Sequence, residues 1–544
     1  MGAEVHTSHI TPADAEAQQH GKLRRVPGPI SWILILICVM EFGERFVYHG
    51  ISGPFQNYIQ HPYQPGSRIP GALGKGQAVG VSLGDFFKFW SYLCVAFGGI
   101  TADQYLGKYK TILASSPIYI AGLALLVATA TPVAIKAGAS MGGLIAAMIL
   151  IGIGTGGLKA CIAPMAGEQN TGQGQHVETL NTGETVLVDH DLTTARIMMW
   201  YYWAANIGAL SSLLTVELEK NYSFWLAYLV PLLKRLLLVV LAVFVAFSHK
   251  INKIRPQGSP ILDASRTLAI GLKEGSLEKA KPSHNTLTDT YVEQVKDGLL
   301  ACKYFLLFPF YFICWTQIFN NLISQAGDMK MGDTPNDLMQ SLENLFQLCF
   351  IPILDLLVYP AFRKAGITFN PILRIFVGFM CAALGMTYAC VLQYFIYHRP
   401  ANSIPVWIQA PAYVFGALSE IFVIVTGLEV AFLKAPENLR AFVSSIFWIT
   451  LAVGAAIGIA LAPVSQDPYM VWTYAGLAIG VFLAGCVFFV CFRHSIAGEV
   501  PLTVGFEVAE QPVFDGPVSS REGSAYSDHT LVDTIRSILP DDVF

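Results

Sequence analysis

Long apolar blocks separated by short polar stretches dominate this chain. Twelve blocks reach about 20 residues, the length that crosses a bilayer as a helix. They cover residues 30–58, 82–101, 111–131, 140–165, 195–215, 223–247, 302–325, 344–361, 371–397, 404–432, 441–463 and 469–492. The predicted fold is an all-α membrane protein. Six blocks, a long polar connection and six more blocks is the layout of a two-bundle secondary transporter. The expected units are an N-terminal tail at 1–29, a six-helix bundle at 30–247, a linker at 248–301, a second six-helix bundle at 302–492 and a disordered Ser/Asp/Gly-rich tail at 493–544.

Composition agrees with lipid as the solvent. Of 544 residues, 53% are hydrophobic and 13% are charged, about half the charged share of a soluble protein. A net charge of −4 and the lack of a basic tract give no sign of a nucleic-acid partner. The ten cysteines show no metal-ligand spacing and read as small apolar residues. No catalytic nucleophile–base pair stands out in the loops, so no enzymatic activity is expected. No apolar core precedes residue 30, so the first block is expected to act as its own insertion signal. The linker alone carries eight Lys and Arg residues. The positive-inside rule then places both termini and the linker in the cytoplasm.

Charges within the apolar blocks carry the functional signal, because each costs roughly 3 kcal/mol at mid-bilayer unless it meets a partner or a cavity. In the first block Glu41, Glu44, Arg45 and Tyr48 follow at i, i+3, i+4 and i+7 and share one helical face. Two acids and one arginine leave one acid over, either protonated or paired with another helix. That is a natural proton-coupling arrangement. Lys159, in the glycine-rich stretch Gly152–Lys159 of the fourth block, is the candidate partner. Glu420 lies inside the tenth block, in a half with no obvious cation of its own. Cations in one half and an acid in the other suit a zwitterion. An extended dipeptide holds its terminal charges on the order of 6–7 Å apart.

These residues fit a known pattern. The segment Glu41-Phe-Gly-Glu44-Arg45-Phe-Val-Tyr48 resembles the ExxERFxYY signature of the proton-dependent oligopeptide transporters, a branch of the major facilitator superfamily. Gly99 to Thr111, with Asp103 and Lys108, resembles that family's second signature. Phe319 to Ala326, and Gly416 through Glu420 to Pro436, resemble its fungal members. The resemblance implies that Arg45 and Lys159 hold a peptide carboxylate, and that Glu41 and Glu44 join them in proton coupling. It implies that Glu420 holds the peptide amino terminus. Tyr48, Tyr92, Asn206, Gln317 and Asn344 would line the pocket, and Asp103 and Lys108 would belong to a cytoplasmic gate loop. The chain departs from the pattern at His49, where the second tyrosine is replaced, and at Thr316, where many members carry a helix 7 acid. Lys234-Arg235 in the sixth block has no counterpart in the usual apolar pattern.

The implied function is proton-coupled symport of di- and tripeptides at the plasma membrane, by a monomer, with protons as coupling ion and no cofactor. The alternatives are a symporter for another small anion or zwitterion and a peptide-binding nutrient sensor. The polar loop at 167–193 and the Ser-rich tail would suit the sensor.

Overall fold

The computed structural model describes residues 25–28, 31–64, 66–169, 176–179, 185–233, 244–246, 249–253, 256, 258–274, 289–365, 369–436 and 439–493. Helices occupy all twelve apolar blocks. They are α1 (Trp32–Ser52), α2 (Gln77–Thr101), α3 (Lys108–Thr129), α4 (Ser140–Glu168), α5 (His190–Ala209, continued by Ser211–Asn221) and α6 (Phe224–Leu233). The second set is α7 (Phe308–Ile318, continued by Asn321–Gly327), α8 (Ser341–Ile353), α9 (Pro371–His398), α10 (Ala410–Glu420, continued through Lys434), α11 (Arg440–Leu461) and α12 (Met470–Phe492). Among the described residues, seven helical spans are long and apolar enough to cross a membrane, and a pair bent by 50° around α7 makes an eighth. The first helix misses that standard because it carries Glu41, Glu44 and Arg45. Lys234-Arg235 and the tail beyond residue 493 lie outside the described residues, as does nearly all of the N-terminal tail.

Local chemistry explains the ends of α1. The Ser31 hydroxyl accepts from the Leu34 amide at 3.3 Å, a standard N-cap, and Gly53-Pro54 ends the helix. Most helices extend beyond their apolar blocks. Thus α2 begins at Gln77 and the eighth block is preceded by a helical turn from Asn336. The extra turns are buried by protein, so polar residues do not stop them.

Two elements fall outside the expected pattern. Strands β1 (Arg25–Pro27), β2 (His176–Thr179) and β3 (Thr185–Asp189) form a small sheet in the order β1-β3-β2. Val26 pairs in parallel with Val188, and Val177 pairs antiparallel with Leu187. The loop after α4 is therefore tied to the segment before α1, and the Gly28 amide donates to Thr193 Oγ1 at 2.9 Å. The linker contributes helices Pro260–Glu274 and Asp289–Cys302. It docks on the α2–α3 turn through Ser259, whose amide donates to Gln104 at 2.9 Å.

Glycines set the spacing of the N-terminal bundle. A Cβ at Gly156 would stand 2.5 Å from Cys94 backbone on α2, and one at Gly98 would stand 2.6 Å from the Gly156 carbonyl. On the other side of α4, a Cβ at Gly154 would stand 2.6 Å from Tyr119 of α3. The glycine stretch thus lets α4 touch two helices at backbone distance. Between the bundles, α2 packs along α11, and a set of polar contacts gathers at the end of the molecule formed by the α1–α2 and α7–α8 connections, here called the hairpin end. Asn57 and Asn336 exchange reciprocal amide bonds of 2.9 and 2.8 Å. Gln340 donates to the Gly53 carbonyl at 3.0 Å, Gln56 to Ser324 at 3.1 Å, and Ser212 and Ser341 lie 2.8 Å apart.

The packing yields a prediction. Gly156→Leu has no room and is expected to destabilise the bundle by several kcal/mol, above the usual 1–3 kcal/mol of overpacking. Gly476→Leu, with nothing within 4 Å of the new Cβ, is expected to be silent. Thermal melting of the two purified proteins in detergent checks this; equal melting temperatures would refute it.

Candidate functional site

The face of α1 predicted to hold the charges is built as an ion network. Arg45 Nε donates to Glu41 Oε1 at 2.8 Å, one helical turn back, and lies 3.9 Å from Glu44 Oε2. The spare acid is Glu44, and α4 takes it up. Thr155 Oγ1 donates to Glu44 Oε1 at 3.1 Å, and Lys159 Nζ stands 3.9 Å from the same oxygen. Glu41 and Glu44 are wholly buried, whereas the Arg45 side chain keeps 26% of its exposure. Arg45 is therefore the member that can still reach a ligand.

Lys159 has an unusual setting. Its Nζ makes no hydrogen bond among the described residues and sits 3.8 Å from the Tyr48 ring centroid and 5.3 Å from that of Tyr92. Two aromatic faces and one carboxylate at 3.9 Å hold an ammonium whose donors remain unspent. Such a group is well suited to take an incoming carboxylate. The tyrosines are fixed in turn: Tyr48 stacks on Phe87 at 5.2 Å and Tyr92 on Trp448 of α11 at 5.2 Å. His49 packs edge-on against Tyr48 at 5.5 Å. The backbone of α5 presses close here, since a Cβ at Gly208 would stand 2.9 Å from Arg45 Cβ.

Across the interface, Glu420 is half-buried at the point where α10 changes to a π-helical turn, Ile421–Val425. Such turns often accompany functional sites. Glu420 is not unpaired, as the sequence suggested: Trp315 Nε1 of α7 donates to Oε2 at 2.7 Å. Arg45, Tyr92 and Tyr202 all interact electrostatically with Glu420, so the two clusters face one another. Asn344 on α8 is nearly buried in the same region.

Other expected site residues make local bonds of their own. Gln317 is buried and spends its amide on the Ile313 carbonyl at 3.0 Å. Asn206 donates to the Tyr202 carbonyl at 2.9 Å. At the opposite end from the hairpins, Asp103 lies in the π-helical turn Ala102–Leu106, and burial pushes its carboxyl above the ordinary range while Lys108 opposes this. Lys108 pairs with Glu168 of α4.

Sequence reasoning missed Asp85 and Lys88 of α2, both buried. Lys88 Nζ lies 3.4 Å from Asp85 Oδ1 and donates to the Thr316 carbonyl at 3.3 Å. Asn320, at the break in α7, donates to the same Asp85 oxygen at 2.6 Å. Thus where α7 offers Thr316, α2 supplies a carboxylate. The signal was present: an Asp and a Lys at i, i+3 inside the second apolar block. Glu343, Glu219 and Asp337, also buried, lay just outside the apolar blocks and were passed over for that reason.

Two helical bundles with paired charges buried between them define a secondary transporter of the major facilitator type. The POT family profile matches residues 109–481. The chain is 39% identical to the peptide transporter PTR_C of Candidozyma auris, over 90% of this chain and 89% of that one. It is 36% identical to the peptide transporter PTR2 of Saccharomyces cerevisiae, over 97% and 89%. Its fold matches the crystal structure of the POT family transporter PepTSo with a TM-score of 0.70 at 20% identity, covering 87% of this chain and all of that one. A POT family transporter in complex with a thioalcohol conjugated peptide matches with a TM-score of 0.62 at 17% identity, over 85% and 96%. This chain belongs to the POT family, whose members have the twelve-helix fold described above.

The Asp85–Lys88 pair generates a prediction. Lys88→Met leaves Asp85 buried without its cation and is expected to cost about 3–5 kcal/mol. The double variant Asp85→Asn/Lys88→Met is expected to recover most of that loss. Denaturation of the four proteins of this cycle in detergent measures the coupling; additive losses would remove it.

Proposed function

We propose that this protein carries di- and tripeptides together with protons across a membrane by alternating access of its two bundles. The observation that supports this reading most is the opposition of Arg45 and the under-coordinated Lys159 on one bundle to Glu420 on the other. A peptide carboxylate fits the first pair and a peptide ammonium fits Glu420, displacing or sharing the Trp315 bond. A simple anion is disfavoured, because Glu420 and the buried Glu343 on the same side would repel it.

Coupling follows from competition for one cation. With the site empty, Lys159 and Thr155 stabilise the charged form of Glu44. A bound peptide carboxylate draws Lys159 away, and Glu44 then gains by taking a proton. Proton and peptide thus favour each other, by reciprocal linkage. A proton moving down 100 mV of membrane potential supplies about 2.3 kcal/mol. The basic linker supports a cytoplasmic position for itself, both termini and the Asp103–Lys108 turn, with the hairpin end outside. The plasma membrane is the natural site for such uptake. One chain holds both halves of the pocket, so a monomer suffices.

The deciding experiment is dipeptide uptake by purified protein in liposomes with and without an imposed proton gradient; no gradient-driven accumulation would overturn the reading. Two variants sharpen it. Glu44→Gln keeps the shape but carries no proton, so it is expected to lose concentrative uptake while peptide exchange survives better. Glu420→Ala is expected to weaken free-amine dipeptides by about one to two decades and N-acetylated ones far less, as for a lost charge-assisted bond of roughly 1.5–3 kcal/mol. Arg45→Ala is expected to show the mirror pattern, sparing C-terminal amides. Competition against a labelled dipeptide reads both, and equal weakening of acetylated and free peptides by Glu420→Ala would make that carboxylate structural.

A further inference from the structure

Two buried acids that the peptide site does not use meet at the hairpin end, one from each bundle. Glu219 comes from the second half of α5 and Asp337 from the turn leading into α8. They are 2% and 1% exposed, and they are neighbours that act on each other electrostatically: Asn57 bonds both Glu219 and Asn336, the residue before Asp337. The surroundings are neutral. Asn57 Nδ2 donates to Glu219 Oε1 at 3.2 Å while its other bonds tie it to Asn336. Glu219 Oε2 and both oxygens of Asp337 have no other hydrogen-bond donor among the described residues. The titratable groups facing the pair are Glu217 on α5, Tyr228 on α6 and Tyr413 on α10, and none of these is a cation. Lys220, the neighbouring residue, turns instead to the Asp333 carbonyl.

Two carboxylates in contact, dry and without a cation, cannot both be ionised. One proton between them turns repulsion into a hydrogen bond and gives an unpartnered oxygen its donor. We propose that Glu219 and Asp337 form a proton-binding site assembled from both bundles, occupied by one shared proton when the hairpin end is closed. The two half-sites part when the bundles part at that end, and each acid then meets solvent and ionises. Closing the hairpin end therefore takes up a proton from the solution on that side, and the site belongs to the gate and not to the peptide pocket. The inference rests on the alternating-access reading. It assigns this proton to closure and not to peptide binding.

The test needs neither peptide nor a gradient, so its failure is separable from failure of peptide symport. Spin labels at Lys136 and Ala401, exposed positions on opposite bundles at the hairpin end, report the gate distance in purified protein whose other reactive cysteines have been replaced. In wild type the closed-distance population is expected to fall as pH rises between about 5 and 9, with a slope near one proton. Asp337→Asn gives Glu219 a permanent amide donor and is expected to hold the gate closed across that range, or to move the midpoint by at least about one pH unit. Glu219→Gln is the same test from the other side, should either variant fold poorly. A wild-type distance distribution that does not change with pH would overturn the proposal, as would variants that keep the wild-type pH profile. Val490→Ala, at an exposed position of α12 outside both the peptide site and the acid pair, serves as the control and is expected to leave the gate profile unmoved.

Discussion

The cost of an unpaired charge away from water governs where every ionisable side chain of the two bundles can stand. The acids of α1 persist because α4 approaches closely enough for Thr155 and Lys159 to reach Glu44. That approach depends on Gly152, Gly154, Gly156 and Gly157, which remove side chains from both contact faces of α4. The ion network around Glu44 therefore rests on a packing feature one turn away from it. The same rule explains Arg374 of α9, which pairs with Glu429 of α10 at 3.0 Å and turns an otherwise costly pair of charges into a brace within one bundle.

Contacts within and between bundles differ in kind. The ion pairs of α1, α2, α4, α9 and α10 each join residues of a single bundle. At the hairpin end, many of the bonds between bundles are made by amides and hydroxyls, and the cations Arg68 and Lys220 reach across to neutral carbonyls of the other bundle. A neutral hydrogen bond contributes only about 1 kcal/mol net, because water replaces it when it opens. Breaking a buried ion pair leaves a charge stranded and costs several times more. Rigid bundles joined by exchangeable bonds are what a rocking mechanism requires.

Much of this was legible in the sequence. Hydropathy located the twelve helices, and the i, i+3, i+4, i+7 spacing from Glu41 to Tyr48 located the central ion network, including the acid that must look to another helix. What hydropathy could not convey is that helices shielded by other helices tolerate polar residues. Block boundaries were consequently drawn short, and Glu219, Asp337 and Glu343 fell beyond them. Asp85 and Lys88 lay inside a block and obeyed the rule already applied to Glu41; only their meaning depended on the third dimension, where α2 meets the break in α7. The small sheet joining β1 to the α4–α5 loop was illegible for another reason. Its strands are three to five residues long, and β1 lies more than 140 positions from its partner β3, so no local period announces that pairing.

The Trp315–Glu420 bond shows how an apparently vacant charge can be held ready. A lone buried carboxylate would either take a proton or unfold its surroundings. The Trp315 indole, with the neighbouring Gln347 and Glu343 side chains, helps to keep Glu420 in place and leaves the carboxyl half-buried. Lys88 stands near the same indole, 5.9 Å from the Trp315 ring and 5.0 Å from that of Phe319, and its charge is already engaged by Asp85. Had Lys88 reached Glu420 directly, the resulting ion pair would have to be broken by each ammonium that the proposed peptide binding brings. By keeping that cation on Asp85, α2 leaves Glu420 with a partner weak enough to yield. The acid that sequence reasoning missed is thus what keeps the predicted one available.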